Sequence, residues 1–331
     1  MSIVSCTILV VGATGQQGGS VLAELSQQLS TTPEAKVKVF ALTRTASSPK
    51  AQALPSKYPS LDLSVVEGDV QHPEPIFKAH SDIDTVFSYT TPPDEEPQAT
   101  HLIDAACAHA TPEKPTHFVF SSVDRGGEPK SWDTPTDVPH FAQKHNVELH
   151  LRTVAEGSDG RLTYTILRPV AFMDNSATIL TTPPSVNPGG TFGMVFASLW
   201  STMSASRKLQ LVSVRDIGLF ACKALLHRAD PNFRNRAVGL AGDELTLEEV
   251  RSIYARVAGG ASLPQAWTLV GWAVRGLVAR NVGSMFRWFE AEGYGVDIDA
   301  LRAEEPRVQN LEAWLRESSK FEFASEEGTD V

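Results

Sequence analysis

Cysteine is scarce in this chain of 331 residues: Cys6, Cys107 and Cys222 are the only three. Their number is odd and their spacing matches no metal-binding pattern, so neither a disulfide frame nor a zinc site organises the fold. They read as small hydrophobes in a reducing compartment. Basic residues are the minority. Lys and Arg number 29 against 39 Asp and Glu, and the formal net charge is −10, which argues against a broad nucleic-acid-binding face and leaves only a local basic patch open. The chain does not open on a basic segment, so no signal peptide is expected. It also lacks a long apolar run. The most apolar late stretch, Trp267 to Val282, is broken by Arg275 and Arg280 and is too short and too charged to span a bilayer. The histidines show no ligand spacing, and no metal is expected. The expectation is therefore a cytoplasmic protein, with a nuclear location open, that has no nucleic-acid or membrane partner. Composition leaves the oligomeric state undecided.

What is present begins at the seventh residue. Ile8, Leu9, Val10 and Val11 form an unbroken apolar run, as a strand buried on both faces of a parallel sheet does. Gly12, Gly15 and Gly18 follow at G-x-x-G-x-x-G spacing around Thr14, Gln16 and Gln17. Val21, Leu22, Leu25 and Leu29 then recur at helical intervals. A glycine loop between strand and helix is the place where a dinucleotide pyrophosphate is held. Gly12 is expected to make the tight turn, Gly15 to let the backbone approach the phosphates, and Gly18 to let the helix pack closely on its strand. The free N–H groups near Gln16 and Gln17 would face the phosphates at the positive end of the helix dipole.

The rhythm continues along the chain. Strands are expected at Lys36–Arg44, Leu63–Asp69, Thr85–Thr90, His117–Ser122 and Leu162–Arg168, with helices over Gln98–Ala108 and His140–Ala155. Strand and helix in alternation predict an α/β fold with a doubly wound parallel sheet of the Rossmann kind. From Pro169 the pattern loosens, with a loop-rich segment around Pro183, Pro184, Pro188, Gly189 and Gly190. A strand over Leu209–Val214 and a helix headed by Asp216 follow. Thr246 and Glu249 form a capping box for a further helix, and the rest is mostly helical. The expected division is a dinucleotide-binding domain over 1–168 that also receives 209–242. A smaller C-terminal substrate or partner region would comprise 169–208 and 243–331. Four of the six tryptophans, Trp267, Trp272, Trp288 and Trp314, fall in that region, and a helical cap over the sheet's carboxyl edge is expected to bury them.

The choice of dinucleotide is argued from the end of the second strand. NAD-preferring folds of this class place an acid there; here the strand ends Leu42-Thr43-Arg44-Thr45. Arg44 can pair with a 2′-phosphate while Thr43 or Thr45 offers a hydroxyl, and Lys50 is a second cation. NADP(H) is the expected cofactor. Asp69 and Val70 would flank the adenine. Thr90, Thr91 and Pro92, closing the fourth strand, either approach the nicotinamide ribose or simply end the strand in a turn.

These residues resemble the NmrA-like family, an atypical branch of the short-chain dehydrogenase/reductases. The resemblance runs in order through Val11 to Gly18, Leu42-Thr43-Arg44, Gly68-Asp69, Ser121-Ser122 and His140 to Lys144. It continues through Leu167-Arg168-Pro169, Asp216-Ile217-Gly218 and Met285 to Gly295, where the chain looks like the tail of fungal members. It implies NADP(H) binding but leaves the chemistry divided, because some relatives are redox-sensing regulators and others are treated as reductases. Reductases of the superfamily use Y-x-x-x-K, and here the motif reads His140-Phe141-Ala142-Gln143-Lys144. Lys144 would hold the ribose hydroxyls. Ser122 is the expected polar partner of a substrate carbonyl, or else a hydroxyl capping the next turn. His140 stands where the tyrosine would be, and serves either as a general acid or as a half-exposed helix residue. Three readings follow. One is an NADPH-dependent reductase of a small organic substrate, a quinone or conjugated carbonyl. Another is a catalytically silent NADP(H) sensor acting through a regulatory protein partner. The third, opposed by the intact glycine loop and Arg44, is a scaffold without cofactor.

Overall fold

The computed structural model describes residues 5–32, 34–174, 196–263, 265, 267–277 and 282–319; the expected loop over Pro183–Gly190 lies outside them. The chain divides into two compact units, each assembled from three segments: 1–123, 140–169 and 214–239 in the first, 124–139, 170–213 and 240–331 in the second.

In the first unit the apolar run becomes β1 (Cys6–Val11), with Ile8, Leu9 and Val10 fully shielded from solvent. β2 (Val37–Thr43) and β4 (Thr85–Tyr89) pair with it in parallel on either side. β3 (Asp62–Glu67) extends the sheet beyond β2, and β5 (Thr116–Ser121) and β6 (Leu162–Pro169) extend it beyond β4, again in parallel. With β9 (Arg236–Leu240) at the edge, the order is β3-β2-β1-β4-β5-β6-β9. This is the doubly wound Rossmann sheet expected from the alternation. Chain order reverses between β1 and β4, and ligands of such sheets bind outside the carboxyl ends at that reversal.

Helices cover the sheet. In chain order the first unit contains α1 (Gln16–Ser30), α2 (Pro49–Gln52), α3 (Leu54–Lys57), α4 (Glu74–Ala79) and α5 (Glu95–His109). α7 (Pro139–Glu156) and α8 (Val214–Leu226) complete it. α1 buries Val21, Leu22, Leu25 and Leu29, the residues whose spacing announced it; each such side chain contributes roughly 1.5–3 kcal/mol by leaving water. α8 returns from far along the chain to pack on α1. The Ser20 hydroxyl donates to the Val214 carbonyl at 2.7 Å, and a Cβ on Gly218 would lie 2.7 Å from the Ser20 backbone. Only glycine permits that approach.

The second unit has its own sheet, β10 (Asp243–Leu245), β8 (Leu209–Val212) and β7 (Ala171–Phe172), in that order. β8 runs antiparallel to β10 and parallel to β7. The strand at Leu209 is therefore part of this small sheet and not of the large one. Its hydrophobic run was legible, but its pairing partners lie far from it in sequence. The Gly- and Pro-rich loop after β5 is held by one buried carboxylate: Asp124 accepts from the backbone of Gly126 at 3.0 Å and of Gly295 at 2.9 Å. The α6 turn (Lys130–Asp133) lies in that loop. Tyr294 is half-buried near Asp124, and desolvation of its hydroxyl together with that negative charge pushes its pKa well above the ordinary value.

The helices of this unit are α9 (Leu247–Val257), α10 (Thr268–Leu277), α11 (Ser284–Ala291), α12 (Ile298–Glu304) and α13 (Leu311–Glu317). The capping box of α9 is formed as expected: the Glu249 N–H donates to the Thr246 hydroxyl at 3.2 Å, and the Thr246 N–H donates to the Glu249 carboxylate at 2.7 Å. The tryptophans divide. Trp288 and Trp314 are buried, but Trp267 and Trp272 are 80% and 54% exposed, against the expectation that the helical region buries all four. The cause is local: α10 turns Gly271 inward onto the Ser198 and Leu199 backbone, which leaves its large side chains outside.

Candidate functional site

A cleft of about 1040 Å³ opens in the first unit where the sheet order reverses. Four strand ends form it: Gly12 after β1, Thr43 to Thr45 at β2, Glu67 to Gln71 at β3, and Tyr89 with Thr91 to Asp94 at β4. Gly12 has φ +62°, the left-handed region open to glycine, and turns the chain out of β1. Gly18 packs so close beneath this turn that a Cβ would strike the Gly12 carbonyl. Gly15 is the N-cap of α1, and no side chain caps the helix and no acid occupies its first turn. The helix therefore offers unsatisfied N–H groups and the positive end of its dipole beside the cleft.

The fold adds to the glycines a reason the sequence did not show. A Cβ on Gly12 would collide with the Tyr89 ring and hydroxyl, and one on Gly15 would lie 2.7 Å from that hydroxyl. The missing side chains make room for Tyr89 over the loop. Burial raises the pKa of the Tyr89 hydroxyl, with Arg44 pulling the other way, so the phenol stays protonated and can donate into the cleft.

Arg44 is exposed, lines the cleft, and has no carboxylate partner among the described residues. No acid neighbours Arg44 in sequence, but the folded register brings one to the adjoining strand end. β2 pairs with β3 so that Thr43 lies opposite Glu67, and the Glu67 carboxylate accepts the Ala46 N–H at 2.8 Å, two residues past Arg44. Thr43, Asp69, Val70, Thr91 and Pro92 also line the cleft; Lys50 does not, being exposed on α2. Gln16, Gln17, Gly18 and Thr90 lie outside its lining as well, as do Ser122, His140 and Lys144. The Thr91 backbone is gripped by Gln98, whose side chain accepts its N–H at 3.1 Å and donates to its carbonyl at 2.7 Å.

Lys144 is not free to wait for a ribose. Its ammonium lies 2.6 Å from the Glu95 carboxylate and donates to the Thr90 hydroxyl at 2.7 Å, while Thr90 donates to Glu95. Glu95 has no exposed surface, and its second oxygen is buried without a partner. Gln143, one residue before Lys144, accepts the Glu95 N–H at 2.8 Å. Burial holds the His140 imidazole below its ordinary pKa, against the pull of Glu95 and with the help of Lys144. It is neutral at neutral pH and so a poor proton donor. At the end of β5 the Ser122 hydroxyl is buried and unpartnered, while its N–H is spent on the Leu167 carbonyl at 2.8 Å. Glu67, Tyr89, Glu95 and Gln98 were missed as site residues. Each acts across a gap in sequence that only strand pairing or helix packing closes.

The model of the NmrA-like family matches residues 5–315. Among solved structures the chain is similar to NmrA, a negative transcriptional regulator, in complex with NADP, with 18% identity, 95% of each chain covered and a TM-score of 0.65. It is similar to a triphenylmethane reductase from Citrobacter sp. complexed with NADP(H), at 17% identity over 93% of this chain and 98% of that one, TM-score 0.63. An NADPH-dependent quinone oxidoreductase from Escherichia coli, complexed with NADPH, stands at 17% identity, 93% and 97% coverage and TM-score 0.63. Likeness at these identities carries the fold. No curated protein matches the chain.

Proposed function

The chain belongs to the NmrA-like family, and from that premise we propose that it binds a nicotinamide dinucleotide in the cleft above the glycine loop, with NADP(H) preferred, and reduces a quinone or conjugated carbonyl. The observation that carries the reading is the convergence of the uncapped α1 N-terminus, side-chain-free glycines and unpaired Arg44 on one cleft at the sheet's reversal. Gly12, Thr14 and Gly15 would receive the pyrophosphate, Arg44 the 2′-phosphate, and Asp69 and Val70 the adenine. The bound cofactor supplies hydride. The Tyr89 hydroxyl lies over the loop, where it would donate to a bound ligand, and Gln98 fixes the Thr91 backbone at the cleft wall. The Ser122 hydroxyl, buried without a partner at the end of β5, would receive a carbonyl oxygen that reached that strand end. Structures similar to this chain hold NADP or NADPH, and two of those proteins are reductases.

The engagement of Lys144 by Glu95 and the neutrality of His140 favour a second reading, a silent NADP(H) sensor that acts through a protein partner. Titration with NADPH and NADH, on wild type and Arg44→Glu, tests the cofactor: wild type should prefer NADPH and the variant lose that preference. Equal affinity of wild type for both would remove Arg44 from the argument. NADPH oxidation against quinones, enones and aldehydes separates the two readings, since turnover eliminates the sensor and tight binding without turnover supports it.

A further inference from the structure

The outward face of α10 is the one place among the described residues where large apolar side chains are displayed together. Leu269 is 75% exposed and Trp272 54%; with Ala273 and Gly276 they recur at spacings of three and four, forming a single stripe. Trp267, 80% exposed, stands just before the helix, and Val270 borders the stripe. The opposite side is occupied, because Gly271 sits on the Ser198 and Leu199 backbone, so the helix cannot roll its apolar face inward. An ordinary surface helix shows water its polar side; this one does the reverse.

Charge tells which partner fits. From Val250 to Phe289 the sequence has no Asp or Glu and five arginines, within a chain of formal net charge −10. Arg251 and Arg256 are met by Glu248 and Glu312. Arg275 is different: it stacks over the Trp272 ring at 5.3 Å and donates to the Thr202 hydroxyl at 2.9 Å. A half-buried guanidinium beside an exposed indole stripe is the arrangement of a helix lying in a lipid interface. There indole and leucine enter the headgroup boundary while the cation remains at phosphate level. A second copy of the chain is the poorer occupant. Apposing two such faces about a two-fold axis brings Arg275 toward its own copy, and the stripe offers it no carboxylate.

We propose that α10, through Trp267, Leu269 and Trp272 with Arg275 at its border, docks the second unit on an anionic phospholipid surface. The contact is peripheral: no described helix is long and apolar enough to cross a membrane. It departs from the expectation of no membrane partner, which rested on the absence of a spanning segment. The test is co-sedimentation of the full chain with vesicles of phosphatidylcholine, with and without phosphatidylglycerol, at low and high salt. Wild type should bind the anionic vesicles at least tenfold better than the neutral ones and weaken as salt rises. Trp267→Ser combined with Trp272→Ser should lose at least tenfold with little change in melting temperature, because Trp267 is mostly exposed and Trp272 gives up only its half-exposed contact with Arg275. No binding by wild type would overturn the proposal, as would equal binding by the double variant. A dimer in sedimentation velocity that the double variant dissolves and vesicles leave intact would also overturn it, assigning the face to a second copy.

Discussion

Glu95 carries a carboxylate with no exposed surface, and Lys144 with Thr90 makes that tolerable. Removing one member of a buried ion pair leaves the other uncompensated, at a cost of about 3–5 kcal/mol. Lys144→Ala is therefore expected to lower stability by that order and, by releasing Thr90 at the end of β4 beside the cleft, to weaken dinucleotide binding indirectly. Adding Glu95→Gln should restore most of the stability, since a neutral amide needs no counter-charge. His140→Phe should disturb neither property by more than a small factor. Urea unfolding with NADPH titration across these variants checks the set, and a Lys144→Ala protein as stable as wild type would contradict it. A second residue-scale effect lies in β5. His117 is buried; its Nε2 faces the Thr165 hydroxyl at 3.0 Å, and that hydroxyl donates to the Phe233 carbonyl at 2.8 Å. Nε2 thus carries the proton, and Nδ1 accepts from Thr163 at 2.8 Å. Burial, reinforced by Arg228 and Arg234, lowers the His117 pKa from 6.5 to about 3. The unfolded chain then binds the proton more readily than the folded one between those values. Stability is full above pH 6.5 and is lost as pH falls toward 3, by up to about 1.4 kcal/mol per pH unit from this group. Unfolding midpoints at pH 7.5 and 5 should differ less in His117→Gln than in wild type; equal differences would remove His117 as a source.

At the scale of elements, the approach of α8 to α1 is the most sequence-dependent contact of the first unit, because it relies on glycine at one position. Gly218→Val would drive a side chain into the Ser20 backbone, and overfilling a packed interface typically costs about 1–3 kcal/mol. The expected result is a lowered melting temperature with the large sheet's secondary structure retained in circular dichroism below it. A variant melting with wild type would show that the two helices separate easily. The elements themselves were largely legible. The period of Val21, Leu22, Leu25 and Leu29 marked α1, and the Thr246–Glu249 pair marked the start of α9. β8 was seen as a strand, yet its place in the small sheet was not. A strand's hydrophobic run records that it is buried and leaves its neighbours unnamed.

Over the whole molecule, what the sequence by itself determined is the first six strands of the large sheet, the turn at Gly12 and the uncapped start of α1, while the edge strand β9 was not legible in it. These depend on local causes: apolar runs, helical spacing, and a backbone angle open to glycine. Arg44 at the end of β2 belongs with them. Tertiary structure alone decided the rest. Strand register brought Glu67 opposite Thr43, and the position of β4 set Tyr89 over the glycine loop. The packing of α7 on α5 gave Lys144 a carboxylate before any ligand could claim it. Trp272 went outward because Gly271, one residue away, was the side that fitted the Ser198 backbone. In every case the deciding contact joins groups separated along the chain or chooses between two faces of one helix. Local patterning sets which residues avoid water; closure of the fold sets which of them meet.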